Sequence, residues 1–492
     1  MARSVPSPLS IALSHLRTAR GWTQGDLASA AGLRPKRVSD LENGCRGRLD
    51  REQLDALATA MGYVPEEVDL ALLLLAALGP PPPAARLSPF DPTPEEARRA
   101  ARAAARLALT AASLLRPRLL GLVRERRERQ ARRRAEELWA LLGQAALDRQ
   151  AALIESSPRL HRWELAERLC AESARAASHD ARLALHLARL ALRVAELAPA
   201  AAAWRSRLCG YCWAFIANAQ RVGNDFAAAT ASFAAAWRLW RAGAAAAAGP
   251  LGEWRLLDLE ASLHRDRQQY AAALANLDRA FAEAPAAARG RILLKRATVL
   301  EQAGEVAAAV AVLLDATPVL ETGGEPRDRW LLEINLLVNL CHLGRHREAQ
   351  VRLPALRELT RALRNRLDGL RVDWLAGRVA AGLGRPDEAR TAFKVARRGF
   401  TAEANGYDAA LVALEQAVLD LEEGRSAEVR TLAAELAWIF QARDVHREAL
   451  ASLALFCRAA EREEATTDLA RRVLAYLERA RRDPGLRFEA PA

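Results

Sequence analysis

The chain has 492 residues, enough at roughly 100–200 residues per domain for about three ordinary domains or one small domain beside an extended array. Hydrophobic residues make up 51% and charged residues 27%, which excludes a disordered chain; an aromatic share of 5% with Ala throughout favours helices over strands. The net charge is +12, almost all of it Arg, since Lys stands only at Lys36, Lys295 and Lys394; a GC-rich genome gives the same bias, so the total says little about function.

From the N-terminus, Leu13, Leu16 and Arg17 share one helical face, which Gly21 ends. Thr23 is suited to cap a short second helix lined by Leu27, Ala28 and Ala31. Gly32 makes a tight corner, and Pro35 opens a third helix with Val38 and Leu41 pointing inward. Leu54, Leu57, Ala58 and Met61 supply a fourth helix, and the apolar run after Pro65 supplies a fifth. Two short helices joined by a Gly-containing turn are a helix-turn-helix.

This pattern resembles the Cro/repressor-type (XRE-like) helix-turn-helix of phage and bacterial regulators over about residues 9–64. The matching residues include Leu16, Arg17, Arg20, Gly21, Thr23, Gln24, Leu27, Ala28, Gly32, Val38, Ser39, Glu42, Gly44, Leu54, Leu57 and Gly62. The resemblance implies that Gln24 touches a DNA phosphate, that Lys36, Arg37, Ser39 and Asp40 face base edges in the major groove, and that Asn43, Arg46 and Arg48 meet the backbone. Lys or Arg can donate to guanine O6 and N7, and Asp can accept from cytosine N4. Arg17 and Glu42 stand where this family has an internal ion pair. Pro35 and Arg34 depart from the pattern, replacing a polar base reader and the usual Ser or Thr cap, so specificity shifts toward Lys36 and Asp40. Within residues 1–64, nine cations face six anions, which suits phosphate.

Seven prolines between Gly79 and Pro94 mark a semi-rigid linker. The following segment, Glu95 to Arg134, carries thirteen Arg against four Glu and concentrates the basicity of the chain. Pro117 divides this connector into two helices, and Arg98, Arg102 and Arg106 stand four apart on one face. Such a stripe is a solvated face, a support for nucleic acid, or a contact for a partner or an anionic surface.

Beyond about residue 160, a fixed period emerges. Ala229, Ala273, Ala309, Ala349, Ala389 and Val429 are 44, 36, 40, 40 and 40 residues apart, and twelve residues before each stands Ala217, Ala261, Ala297, Leu337, Gly377 or Ala417. Small residues at both places let the two helices of a hairpin approach closely. Phe233, Leu277, Leu313, Leu353, Phe393 and Ala433 follow as knobs, then Ala236, Ala280, Ala316, Leu356, Ala396 and Leu436. Gly223, Gly304, Gly344, Gly384 and Gly424 suit left-handed caps between the helices. The pattern resembles the tetratricopeptide repeat (TPR) over roughly residues 160–480, with weaker copies at Ala184, Ala188 and Ala191 and at Leu469, Val473 and Tyr476.

In tetratricopeptide hairpins the first helix lines the inner groove, which makes Asn218, Arg221, Ser262, Arg265, Thr298, Glu301 and Arg378 candidate ligand contacts or plain solvent-facing residues. Cys209 and Cys212 form a Cys-x-x-Cys pair inside a helical pattern, read as core-facing thiols before redox or metal chemistry. Cys341, His342 and His346 cluster, but Gly344 separates the histidines, so an ordinary turn is expected in preference to a metal site. No phosphate-binding loop, nucleophile elbow or zinc-protease helix occurs, so neither catalysis nor a cofactor is expected. Without a run of about 18 apolar residues, a cationic–apolar leader or dense cysteines, the expected setting is the cytoplasm, with no membrane.

The expected architecture is all-α: a five-helix helix-turn-helix domain over 1–78, a Pro-rich linker over 79–94, a basic helical connector over 95–158, an α-solenoid of TPR-like hairpins over 159–482 and a tail over 483–492. The expected function is sequence-specific transcriptional regulation as a homodimer on double-stranded DNA, with a peptide or protein in the repeat groove. The alternative is a scaffold that uses the helix-turn-helix only for docking.

Overall fold

The computed structural model describes residues 7–44, 49–78, 121, 123–246, 249–436, 447–480 and 486–488, and among them every regular element is helical. The chain divides into two compact units, Met1–Leu153 and Ile154–Ala492. The proline linker, Arg98, Arg102, Arg106, Pro117, Arg46 and Arg48 lie outside the described residues.

The first unit holds α1 (Pro8–Ala19), α2 (Gln24–Ala30), α3 (Pro35–Asn43), α4 (Arg51–Ala60), α5 (Pro65–Leu78) and α6 (residues 123–143). Its core is formed by Leu13, Leu27, Val38, Leu54, Ala58 and Met61, the inward residues of the sequence pattern. Thr23 and Asp26 form a reciprocal capping box: the Thr23 hydroxyl accepts the Asp26 N–H at 3.2 Å, and the Asp26 carboxylate accepts the Thr23 N–H at 2.7 Å. Gly32, at φ +66°, takes the left-handed corner before α3. The later part of the basic segment belongs to this unit: Arg127 on α6 pairs with Glu66 and Asp69 of α5, and Val123, Ala131, Ala135 and Leu142 are buried.

The second unit begins within α7 (Leu147–Ser156) and continues as stacked hairpins. These are α8 (Trp163–Ala176) with α9 (Ala181–Leu197), α10 (Ala202–Val222) with α11 (Phe226–Ala242), α12 (Trp254–Asp266) with α13 (Tyr270–Glu283), and α14 (Ala286–Gln302) with α15 (Val306–Gly323). They are followed by α16 (Pro326–His342) with α17 (His346–Leu363), α18 (Arg366–Gly382) with α19 (Pro386–Ala402), α20 (Gly406–Glu422) with α21 (Ser426–Glu435), and α22 (Arg447–Glu461) with α23 (Thr467–Ala480). The repeated knobs from Phe233 to Leu436 are all buried. A Cβ on Gly377 would stand 2.5 Å from the Phe393 ring, which is why this hairpin requires no side chain there. α15 is long and apolar enough by composition to span a membrane; a third of it is buried, with Val310, Leu313, Ala316 and Leu320 packed in the stack.

The hairpin corners correct one expectation. Gly223 is not left-handed (φ −75°); the next residue, Asn224, is (φ +62°). Gln268 takes the same role in the following repeat, and Gly304, Gly344, Gly384 and Gly424 do so thereafter. The corner therefore sits five residues before each second small residue, whatever occupies it, because the chain must reverse at a fixed distance from the packing point. Near the C-terminus the tail is partly seated: the Leu486 carbonyl accepts the Tyr476 hydroxyl at 2.9 Å, and Phe488 meets the Tyr476 ring edge-on.

Candidate nucleic-acid interface and repeat groove

In α3, Val38 and Leu41 are buried while Lys36 and Arg37 are exposed and Ser39 and Asp40 are half-exposed. Pro35 at the first turn supplies φ without needing its missing N–H, and Arg34 makes no side-chain cap, as the sequence departure implied. The helix is held from below. Arg17 Nε meets Glu42 Oε1 at 2.6 Å, Arg17 Nη2 meets Oε2 at 3.1 Å, and Arg17 Nη1 donates to the Trp22 carbonyl at 2.6 Å. Its hydrogen bond to Glu42 raises the Arg17 guanidinium above its ordinary value despite partial burial. Gln24, expected on a phosphate, donates in the free chain from Nε2 to Glu42 Oε2 at 2.7 Å, that buried carboxylate having acceptor capacity beyond Arg17. Asn43 donates to the Ser39 carbonyl at 2.8 Å and to its hydroxyl at 3.3 Å, so these two expected DNA contacts hold each other.

In the array, four of the expected groove residues converge and three do not. Arg221 on α10 pairs with Asp266 on α12 and donates to Asn218 Oδ1 at 2.9 and 3.2 Å; Arg265 takes the other Asp266 oxygen at 2.7 and 2.9 Å. Ser262 donates to the Asp258 carbonyl at 3.4 Å and accepts from Lys295 Nζ at 3.3 Å, while Lys295 and Arg255 both pair with the buried Asp258 carboxylate. Burial lowers the Arg221 charge preference, with Asp266 opposing. Burial also works against Asp258 ionisation, but Lys295 and Arg255 outweigh it and hold the carboxyl below its ordinary value. Thr298 donates to the Leu294 carbonyl of its own helix at 3.0 Å, Glu301 acts electrostatically on His342, and Arg378 belongs with His342 to a second cluster.

That second cluster lines a cavity of about 510 Å³ among α16, α18, α20 and α23. Arg378 Nε lies 2.8 and 2.9 Å from the Glu415 oxygens, its Nη2 lies 3.2 Å from Glu478 Oε1, and its guanidinium covers the Trp374 ring at 4.6 Å. The Trp374 indole N–H also donates to Glu415 at 2.9 Å. Burial opposes the Arg378 charge, yet Glu415 and Glu478 raise the group above its ordinary value. Cys341, His342 and His346, read from sequence as an ordinary turn, line the same cavity. Burial pushes the Cys341 thiol up to about 11 and lowers the His342 imidazole, with Arg378 adding to the latter, so both are neutral near pH 7. Among the described residues no group of three or more His, Cys, Asp or Glu could hold a metal ion.

A family model described as a helix-turn-helix domain matches residues 8–71. Residues 8–71 form a helix-turn-helix domain. Of the whole chain, solved structures give low-similarity matches. A Rap protein complexed with Competence and Sporulation Factor shares 15% identity over 65% of this chain and 97% of its own, with a TM-score of 0.41. The apo form of RapI shares 11% over 68% and 98%, at 0.43, and aspartyl phosphate phosphatase F from Bacillus subtilis shares 12% over 90% and 96%, at 0.41. No curated protein matches the sequence.

Within the helix-turn-helix domain the inward positions and the Arg17–Glu42 pair were readable from spacing and resemblance. In the array, sequence reading missed the buried acids. Asp328, Asp368 and Asp408 are each spaced by 40 residues, and the first two receive Arg291 and Arg327 from the preceding first helices. The same period that located the small residues would have found them.

Proposed function

We propose that this chain is a cytoplasmic transcriptional regulator that reads duplex DNA with α3 of its helix-turn-helix domain, and whose repeat array receives a peptide or protein partner. One observation carries the DNA reading: Lys36 and Arg37 are exposed on the same short helix whose Val38 and Leu41 anchor the core, so the cations stand on a rigid element. Arg17, Glu42 and Gln24 lock that helix from beneath. The peptide reading is supported by the first-helix face of the array, which carries interhelical charge clusters and a cavity of about 510 Å³. Acting as a homodimer, two such domains would engage half-sites about one helical turn, ~34–36 Å, apart.

The test starts by selecting bound fragments from genomic DNA with the full chain, then titrating the best fragment against salt. Lys36→Ala should weaken specific binding by about 1–3 kcal/mol while the melting temperature stays unchanged. Affinity no better than micromolar at low salt, together with indifference to Lys36→Ala and Arg37→Ala, overturns the DNA reading and leaves a scaffold.

A further inference from the structure

The cavity among α16, α18, α20 and α23 has a lining whose charges do not balance. Arg378 and Arg471 face three carboxylates: Glu415, Glu422 and Glu478. Arg378 is committed to Glu415 through its fork, and Arg471 pairs with Glu422. Glu478 receives a 3.2 Å contact from Arg378 through one oxygen, and its side chain is 43% exposed. One negative charge is therefore in excess in the lining of a space also walled by Val418, Leu419, Leu474 and Phe393. A second observation bears on the same lining: His346 contributes to it, and its buried Nδ1 has no hydrogen-bond partner.

We infer that this cavity receives a Lys or Arg side chain of a short peptide, with the methylene stem against Val418, Leu419 and Leu474 and the charged head on Glu478. The inference rests on the peptide reading above and adds its chemistry. A long cationic side chain matches both halves of the lining, since its stem is apolar and its head is charged. An acidic ligand would place a second anion beside Glu478, and a purely apolar one would desolvate that carboxylate without replacing its water. The volume lies within the ~300–1,000 Å³ typical of small-ligand pockets, enough for one side chain and the backbone that carries it.

A library of random pentapeptides equilibrated with the full-length protein, with retained peptides sequenced by mass spectrometry, tests the assignment. Wild type should enrich Lys or Arg at one position by about two- to fivefold, the scale expected of one partly exposed charge pair. Glu478→Gln should abolish that enrichment while the melting temperature and the preferences at other positions persist. Retained peptides with no cationic preference, or a preference unaltered in Glu478→Gln, overturn this inference and leave peptide binding standing. Retention of no peptide by wild type overturns the peptide reading itself, and the inference with it.

Discussion

Lys295 on α14 binds Asp258 on α12 with Nζ 2.6 Å from Oδ1, and the same ammonium donates to the Asp258 carbonyl at 3.2 Å and the Ser262 hydroxyl at 3.3 Å. One side chain thus joins two consecutive hairpins through three acceptors, and its partner carboxylate is buried. Lys295→Met leaves Asp258 with Arg255 as its paired cation and Arg221 acting at longer range, and should destabilise the chain by about 3 kcal/mol, read from the urea midpoint. Simultaneous Asp258→Asn should recover a large part of that loss, which a double-mutant cycle measures.

The Asp258 carboxyl also gives a signed pH dependence. Its folded-state value lies below the ordinary 3.8, so its stabilising contribution is complete above that value and disappears as pH falls through the lower, folded value. Melting temperature followed from pH 5 toward pH 2.5 should fall less steeply in Asp258→Asn than in wild type. Parallel curves for the two proteins would show that this pairing does not set the acid limb.

Gln268 holds φ +58° at the corner between α12 and α13, where four later repeats use Gly. A left-handed conformation costs an ordinary residue about 1–2 kcal/mol, partly offset by the entropy glycine loses on folding. Gln268→Gly should therefore stabilise by about 0.5–1 kcal/mol, and Gly304→Ala should cost about 1 kcal/mol, both measured by denaturant unfolding.

Gly377 faces Phe393, which is 1% exposed and whose ring stands 2.5 Å from where a Cβ on Gly377 would sit. Gly377→Ala should cost about 1–3 kcal/mol through forced repacking, despite alanine's better helix propensity. A neutral or stabilising result in thermal unfolding would mean that α18 and α19 separate without penalty.

Arg17→Met removes the cation from a pair whose acid, Glu42, stays buried with Gln24 as its remaining donor. The expected loss is about 3–5 kcal/mol, confined to the helix-turn-helix domain. Limited proteolysis should then cut within residues 8–71 while the repeat array resists, and DNA binding should fail through unfolding, unlike the Lys36→Ala loss at constant stability.

Periodicity within the chain by itself determined the helical class, the inward faces of α1–α4 and the packing register of the repeats. Those features depend on residues three, four or forty positions apart, and the buried knobs from Phe233 to Leu436 follow that register. Turn position was legible only to within one residue, since Gly223 advertised a corner that Asn224 makes. Within the repeat array, tertiary structure alone decided which charges meet. Arg221 finds Asp266, Lys295 finds Asp258, and Arg378 finds Glu415, each pair drawn from different helices with no sequence period of its own. The cavity joining His346 to Glu478 is likewise a product of stacking: its walls come from α16 to α20 and from α23, which are brought together only when hydrophobic burial aligns successive hairpins.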